Sequence, residues 1–138
     1  MSDLKRFLEA QERDFASALA EIKNGRKQSH WMWYIFPQIA GLGFSSTSKF
    51  YAIKNIAEAE NFLAHPVLGE RLIEISEALL EIEGRTAHQI FGSPDDMKLK
   101  SSMTLFGAPE NKNPVFQKVL DKYFDGAKDQ KTLELIDV

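Results

Sequence analysis

Apolar residues at Leu4, Phe7, Leu8, Phe15, Ala18, Leu19 and Ile22 recur at the three-and-four spacing that lines one face of a helix. Ser2 or Asp3 is placed to cap this helix by accepting orphan backbone N–H groups, and Asn24-Gly25 supplies a left-handed exit. Behind Pro66 a second stripe, Leu68, Leu72, Ile75, Leu79 and Ile82, runs until Gly84 and predicts the central helix of the fold.

The other boundaries are also written in helix chemistry. Asn55-Ile56-Ala57-Glu58 and Thr86-Ala87-His88-Gln89 have the form of capping boxes, and His65-Pro66 sets proline where a first helical turn tolerates it. Ser93-Pro94-Asp95-Asp96 combines a cap, a proline and two acids in a first turn. Asn113-Pro114 repeats the cap and proline before Val115, Phe116, Val119, Leu120 and Tyr123, and Asp125-Gly126 closes that helix. A last short helix is expected over 130–136, capped by Asp129, with Leu133 and Ile136 returning to the core. No turn dipeptide lies between two alternating apolar runs, so β-hairpins are not expected. The pattern predicts one all-α domain over 1–138, a compact bundle of about six to eight helices with one irregular segment.

That segment runs from Gln28 to Tyr51 and holds both tryptophans, Trp31 and Trp33, then Gly41, Gly43 and the hydroxyls of Ser45, Ser46, Thr47 and Ser48. An aromatic run is core material first, because each ring buries a large apolar area. The glycines and hydroxyls that follow suit a pocket, by letting backbone approach a ligand beside donors and acceptors. They suit equally a turn leading into a helix cap at Ser46 or Ser48. Gly41-Leu42-Gly43 lacks a third glycine and a preceding strand, and no Gly-Lys-Ser/Thr follows, so neither a dinucleotide fingerprint nor a phosphate loop is present.

Composition narrows the classes. The absence of cysteine excludes disulfides, thiolate catalysis and Cys-based zinc frameworks. His30, His65 and His88 lack the short spacing of His-based metal sites, so no metal or other cofactor is expected. A net charge of −3 gives no general attraction to nucleic-acid backbones, and the basic residues around Arg26-Lys27 read as favouring a helix C-terminus rather than as a phosphate site. No apolar run approaches the roughly 20 residues of a membrane span, and the start moves directly into an amphipathic pattern. A soluble cytoplasmic protein is the expectation.

Six strings carry a family resemblance: Ser29-His30-Trp31-Met32-Trp33, Ile35-Phe36-Pro37-Gln38, Gly41-Leu42-Gly43, His65-Pro66-Val67-Leu68-Gly69, Ile90-Phe91-Gly92 and Lys98-Leu99-Lys100-Ser101-Ser102-Met103-Thr104-Leu105-Phe106. With them nearly the whole chain resembles a bacterial domain-of-unknown-function family sometimes labelled "calpastatin". The resemblance implies a small, mainly α-helical domain of a type first seen in a mycobacterial hypothetical protein, and no established activity. Inhibitors bearing that label are disordered, repetitive chains, whereas the stripes here are those of a folded core.

A second cluster of chemistry is Asp95, Asp96, Lys98, Lys100, Ser101, Ser102 and Thr104. On a helix starting at Pro94, Asp95, Lys98 and Ser102 lie near one face. An acid, a cation and a hydroxyl there could activate a nucleophile, but they read first as ordinary helix electrostatics. Two functions follow as expectations. In the first, the two clusters meet and bind a small polar, nucleotide-like ligand, with hydrolysis as an extension. The residues would be Trp31 or Trp33 for stacking, Gln38, Ser45 and Ser48 for orientation, and Lys98, Ser101, Ser102 and Thr104 for polar groups. His30 or Asp96 would serve for proton transfer. The layout, an aromatic loop followed by a Tyr-containing helix, is also similar to helical domains that process ADP-ribose derivatives, an analogy to N-glycosidic hydrolases without a shared catalytic motif. In the second, the aromatic run is core and its exposed members engage another protein.

Overall fold

The computed structural model describes residues 4–109 and 113–137, which form nine helices. These are α1 (Lys5–Lys23), α2 (Met32–Ile35), α3 (Ser46–Phe50), α4 (Ile56–Ala64), α5 (Leu68–Leu80), α6 (Ala87–Phe91), α7 (Asp95–Phe106), α8 (Val115–Phe124) and α9 (Gln130–Ile136). The all-α expectation holds. The count exceeds eight because the irregular segment itself contains two short helices, α2 and α3, of four and five residues.

The stripes set the packing. Leu68, Leu72, Ile75, Leu79 and Ile82 are all buried, and α5 packs against α1, α4 and α8. Phe7, Ala18 and Ile22 of α1 join the same core, as do Phe62, Phe106 and Phe116, whose rings form a chain from α4 through α7 to α8. Lys122 and Tyr123 of α8 reach over the end of α5. The Lys122 ammonium donates to the carbonyls of Leu80 and Ile82, and the Tyr123 hydroxyl donates to the carbonyl of Leu79 at 2.6 Å. Burial pushes the Tyr123 phenol up to about 12.

Caps fall close to where the sequence puts them. The Gly25 N–H donates to Ile22 O and the Arg26 N–H to Glu21 O, the paired bonds of a Schellman motif, with Gly25 at φ 77°. Asn55 accepts from the Glu58 N–H, Asp129 from the Thr132 N–H and Asn113 from the Val115 N–H. Thr86 and Gln89 complete a reciprocal box. His65 caps through its ring, Nδ1 accepting from the N–H groups of Val67 and Leu68. Two boundaries differ. Ser45, one residue before the expected caps, accepts the Ser48 N–H, and α7 begins at Asp95 with Pro94 as its uncapped flank. Ser2 and Asp3 lie outside the described residues.

Between α2 and α4 the chain closes a loop on itself. Ile39 and Ile53 form an isolated parallel bridge, with the Ala40 N–H donating to Ile53 O and the Ile53 N–H to Gln38 O. This staple fixes both ends of the segment that carries Gly41, Gly43 and α3. No described helix is long and apolar enough to cross a membrane.

Candidate functional site

The two chemistry-rich clusters meet. The Lys98 ammonium lies 4.1 Å from the centroid of the Trp33 ring and 3.1 Å from Asp95 Oδ1, while Asp95 Oδ2 lies 2.9 Å from Lys27 Nζ. Lys27 in turn sits 5.0 Å from the Trp31 ring. The result is an alternating array of Trp31, Lys27, Asp95, Lys98 and Trp33 that ties the aromatic segment to the first turn of α7. Burial alone would raise the Asp95 carboxyl, but hydrogen bonds from the two lysines outweigh it and hold the group below its ordinary range. Lys27 thus pairs with a carboxylate far along the chain, and its ammonium also donates to the Ser29 carbonyl at 2.6 Å.

Beside this array lies a groove of about 200 Å³. One wall is Trp33, Gln38, Leu42 and Gly43, the other is Pro94 with Met97, Lys98 and Ser101 of α7, and Asp129 and Lys131 close one end from the start of α9. A second, smaller hollow of about 100 Å³ is enclosed by the stapled loop, and Trp33, Gln38, Leu42 and Gly43 belong to both. Trp33 and Gln38 thus stand at the partition. Gly43 is required there, because a Cβ would lie 2.5 Å from Ser48 Oγ and 3.3 Å from the Trp33 ring.

The expected site residues separate on inspection. Trp33, Gln38, Lys98 and Ser101 line the groove, and Ser48 lines only the smaller hollow. Trp31 is a core residue, 1% exposed. Several hydroxyls serve the backbone: Ser45 accepts the Ser48 N–H, Ser48 donates to Ser45 O, Ser101 to Met97 O and Thr104 to Lys100 O. Thr104 also accepts the Asp129 N–H, which holds α9 on α7. Ser102 is fully buried, its Oγ without a hydrogen-bond partner among the described residues. His30 is exposed and lines neither hollow. Asp96 lies 3.5 Å from His88 and accepts the Met97 N–H, also away from both. Among the described residues no group of acids and histidines is arranged to hold a metal ion.

Sequence reasoning missed the α9 contribution and the residue that shapes the start of the aromatic segment. Glu21 accepts from the N–H groups of Gln28 and Ser29, the Ser29 hydroxyl and the Trp31 indole. Burial works against its charge, but these four bonds overcome that and bring the carboxyl down to about 2. A depressed folded-state value stabilises the fold above the ordinary range near 4.5 and loses that contribution as pH falls toward about 2. Discounted for partial exposure, the contribution is about 1–2 kcal/mol. Acid unfolding followed by circular dichroism should therefore show a shallower loss of stability over this window in Glu21→Gln than in the parent. Parallel curves would remove Glu21 from that role.

The sequence model of the family described as "Protein of unknown function (DUF1810)" matches residues 1–136. The chain belongs to this family. It is also similar to the conserved hypothetical protein Rv1873 from Mycobacterium tuberculosis, whose crystal structure superposes with a TM-score of 0.96 at 44% sequence identity. That match covers 99% of this chain and 97% of the mycobacterial one, so the whole helical arrangement is common to both. No curated protein matches the chain. The family resemblance carried by the aromatic and Lys-Ser strings is thus correct, and it brings a fold without an assigned chemistry.

Proposed function

We propose that this protein is a small-molecule-binding domain whose site is the groove between the aromatic loop and α7. The observation that carries the reading is the seating of the Lys98 ammonium on the Trp33 ring at the edge of that groove, which joins an aromatic surface to a cation. Leu42, Pro94 and Met97 offer apolar contact to a ring, and Lys98 and Lys131 suit an anionic group such as a phosphate or carboxylate. A ring that stacks on Trp33 competes with Lys98, so binding should draw the lysine toward the anion. Nucleotide-like metabolites combine both features.

Binding is favoured over hydrolysis. Among the described lining residues the one carboxylate is Asp129, whose Oδ2 already accepts the N–H and hydroxyl of Thr132. Thermal-shift screening against nucleotides, NAD-derived metabolites and sugar phosphates tests the reading, since a ligand of the folded state raises apparent stability. At a ligand concentration of about 100 Kd the folded state gains about 2.7 kcal/mol. A hit should weaken in Lys98→Ala and in Trp33→Ala.

A second reading has its own observation. Met97 on the wall of the groove is 48% exposed, and Phe44, next in the chain to the lining residue Gly43, is 86% exposed, so two uncovered apolar side chains belong to the segments that form the groove. Such a rim suits a protein partner. If the screen yields no ligand whose effect depends on Lys98 or Trp33, the interaction reading takes the site.

A further inference from the structure

Behind Trp33 the smaller hollow has a composition unlike the groove. Trp33, Ile39, Leu42 and Tyr51 give it apolar walls, Ser48 and Lys49 also line it, and it is closed by the loop that the Ile39–Ile53 bridge staples. Into this setting the chain places Gln38, only 6% exposed, with a buried Nε2 that has no hydrogen-bond partner among the described residues. Its backbone carbonyl is engaged by the Ile53 N–H, so the residue's position is fixed while its side-chain donor is left open. A buried unpaired donor opposes folding, and the same space would accept leucine or methionine without that penalty. Groups held against stability in this way belong characteristically to binding sites.

We propose that this hollow is a subsite for the carboxamide edge of a small planar group, received by Gln38. The inference rests on the groove being a ligand site and names the part of the ligand that passes behind Trp33. An amide presents a donor and an acceptor side by side, so its complement is another amide, which returns both bonds at once. Size sets the rest. The hollow is about 100 Å³, against roughly 150 Å³ for a cavity that encloses benzene, so it admits the leading edge of a ring rather than a fused system. An anionic portion of the same ligand is met in the groove by Lys98.

Benzamide is the probe, with toluene as the control, followed by chemical-shift perturbation in the full-length protein. Benzamide should bind and shift the resonances of Trp33, Gln38 and Gly43, with toluene at least tenfold weaker. Gln38→Leu should lose at least tenfold in benzamide affinity while its Tm rises by roughly 3–6 °C, as removal of an unpaired donor predicts. Gln38→Met serves the same purpose if leucine packs badly. Anionic ligands held by Lys98 without benzamide binding would overturn the subsite alone, and benzamide binding without any anionic hit would overturn the groove alone. A Gln38→Leu protein that binds benzamide like the parent, or that melts lower, would also overturn the proposal.

Discussion

Replacing Gly69 with alanine is expected to destabilise the protein by at least about 3 kcal/mol, measured as a fall in the urea midpoint at constant slope. Propensity argues the other way. Gly69 lies in the first turn of α5, where alanine normally stabilises a helix by about 0.5–1 kcal/mol. The opposing effect is steric and comes from backbone. After α4 the chain reverses at His65-Pro66, with His65 extended at φ −67° and ψ 129° as a residue before proline prefers. The reversal lays the start of α5 on the end of α4, so that a Cβ on Gly69 would lie 2.0 Å from the Leu63 carbonyl oxygen. A flexible side chain could yield at that distance, but a carbonyl inside a helix cannot without moving the helix. The Gly69 N–H is itself bonded to His65 O at 3.0 Å, which pins the glycine from the other side. An unchanged midpoint would show that the α4–α5 corner has slack that this geometry denies.

Gly69 also illustrates which features can be read from a sequence. The stripe beginning at Leu68 announces a helix and its buried face because those depend on spacing alone, and the caps at Asn55, Thr86, Asn113 and Asp129 are legible because each acts within three residues. The reason for a glycine at position 69 lies in another helix. The same limit applies at the site. Trp33 and Lys98 could be nominated as chemistry, yet Lys27 as the second partner of Asp95, and Lys131 as a cation at the rim, depend on the approach of distant segments. Helix α7 shows the clearest loss of signal. From Ser101 to Phe106 every residue is buried, because α4, α8 and α9 cover this end from several sides, and a helix buried all round has no stripe to reveal it. Its serines and threonine looked like site chemistry from the sequence. In the fold, Ser101 and Thr104 bond back to their own helix, and only Ser101 reaches the groove.

Arg6→Met should cost about 3–5 kcal/mol and loosen the site loop as it does so. The Arg6 side chain is 10% exposed and Glu58 is 1% exposed, with 3.3 Å between Nη2 and Oε1. The guanidinium also donates to the carbonyls of Phe50 and Ala52, at 2.8 and 2.9 Å, and lies 4.4 Å from the Phe7 ring. One side chain of α1 thus holds the end of α3, the return of the stapled loop and the first turn of α4. Methionine keeps much of the apolar stem but leaves Glu58 buried, with the Lys54 N–H as a remaining donor to the same oxygen. An uncompensated buried carboxylate is the expensive element, so Arg6→Met/Glu58→Gln should recover a large part of the loss in a double-mutant cycle. Hydrogen exchange distinguishes this clamp from an ordinary core contact. Amides at Ala40 and Ile53, which form the bridge, should exchange faster in Arg6→Met than the global loss of stability accounts for, while those of α5 should follow the global value. Uniform acceleration across both regions would mean that Arg6 supports the fold as a whole and leaves the loop's closure to the Ile39–Ile53 bridge alone.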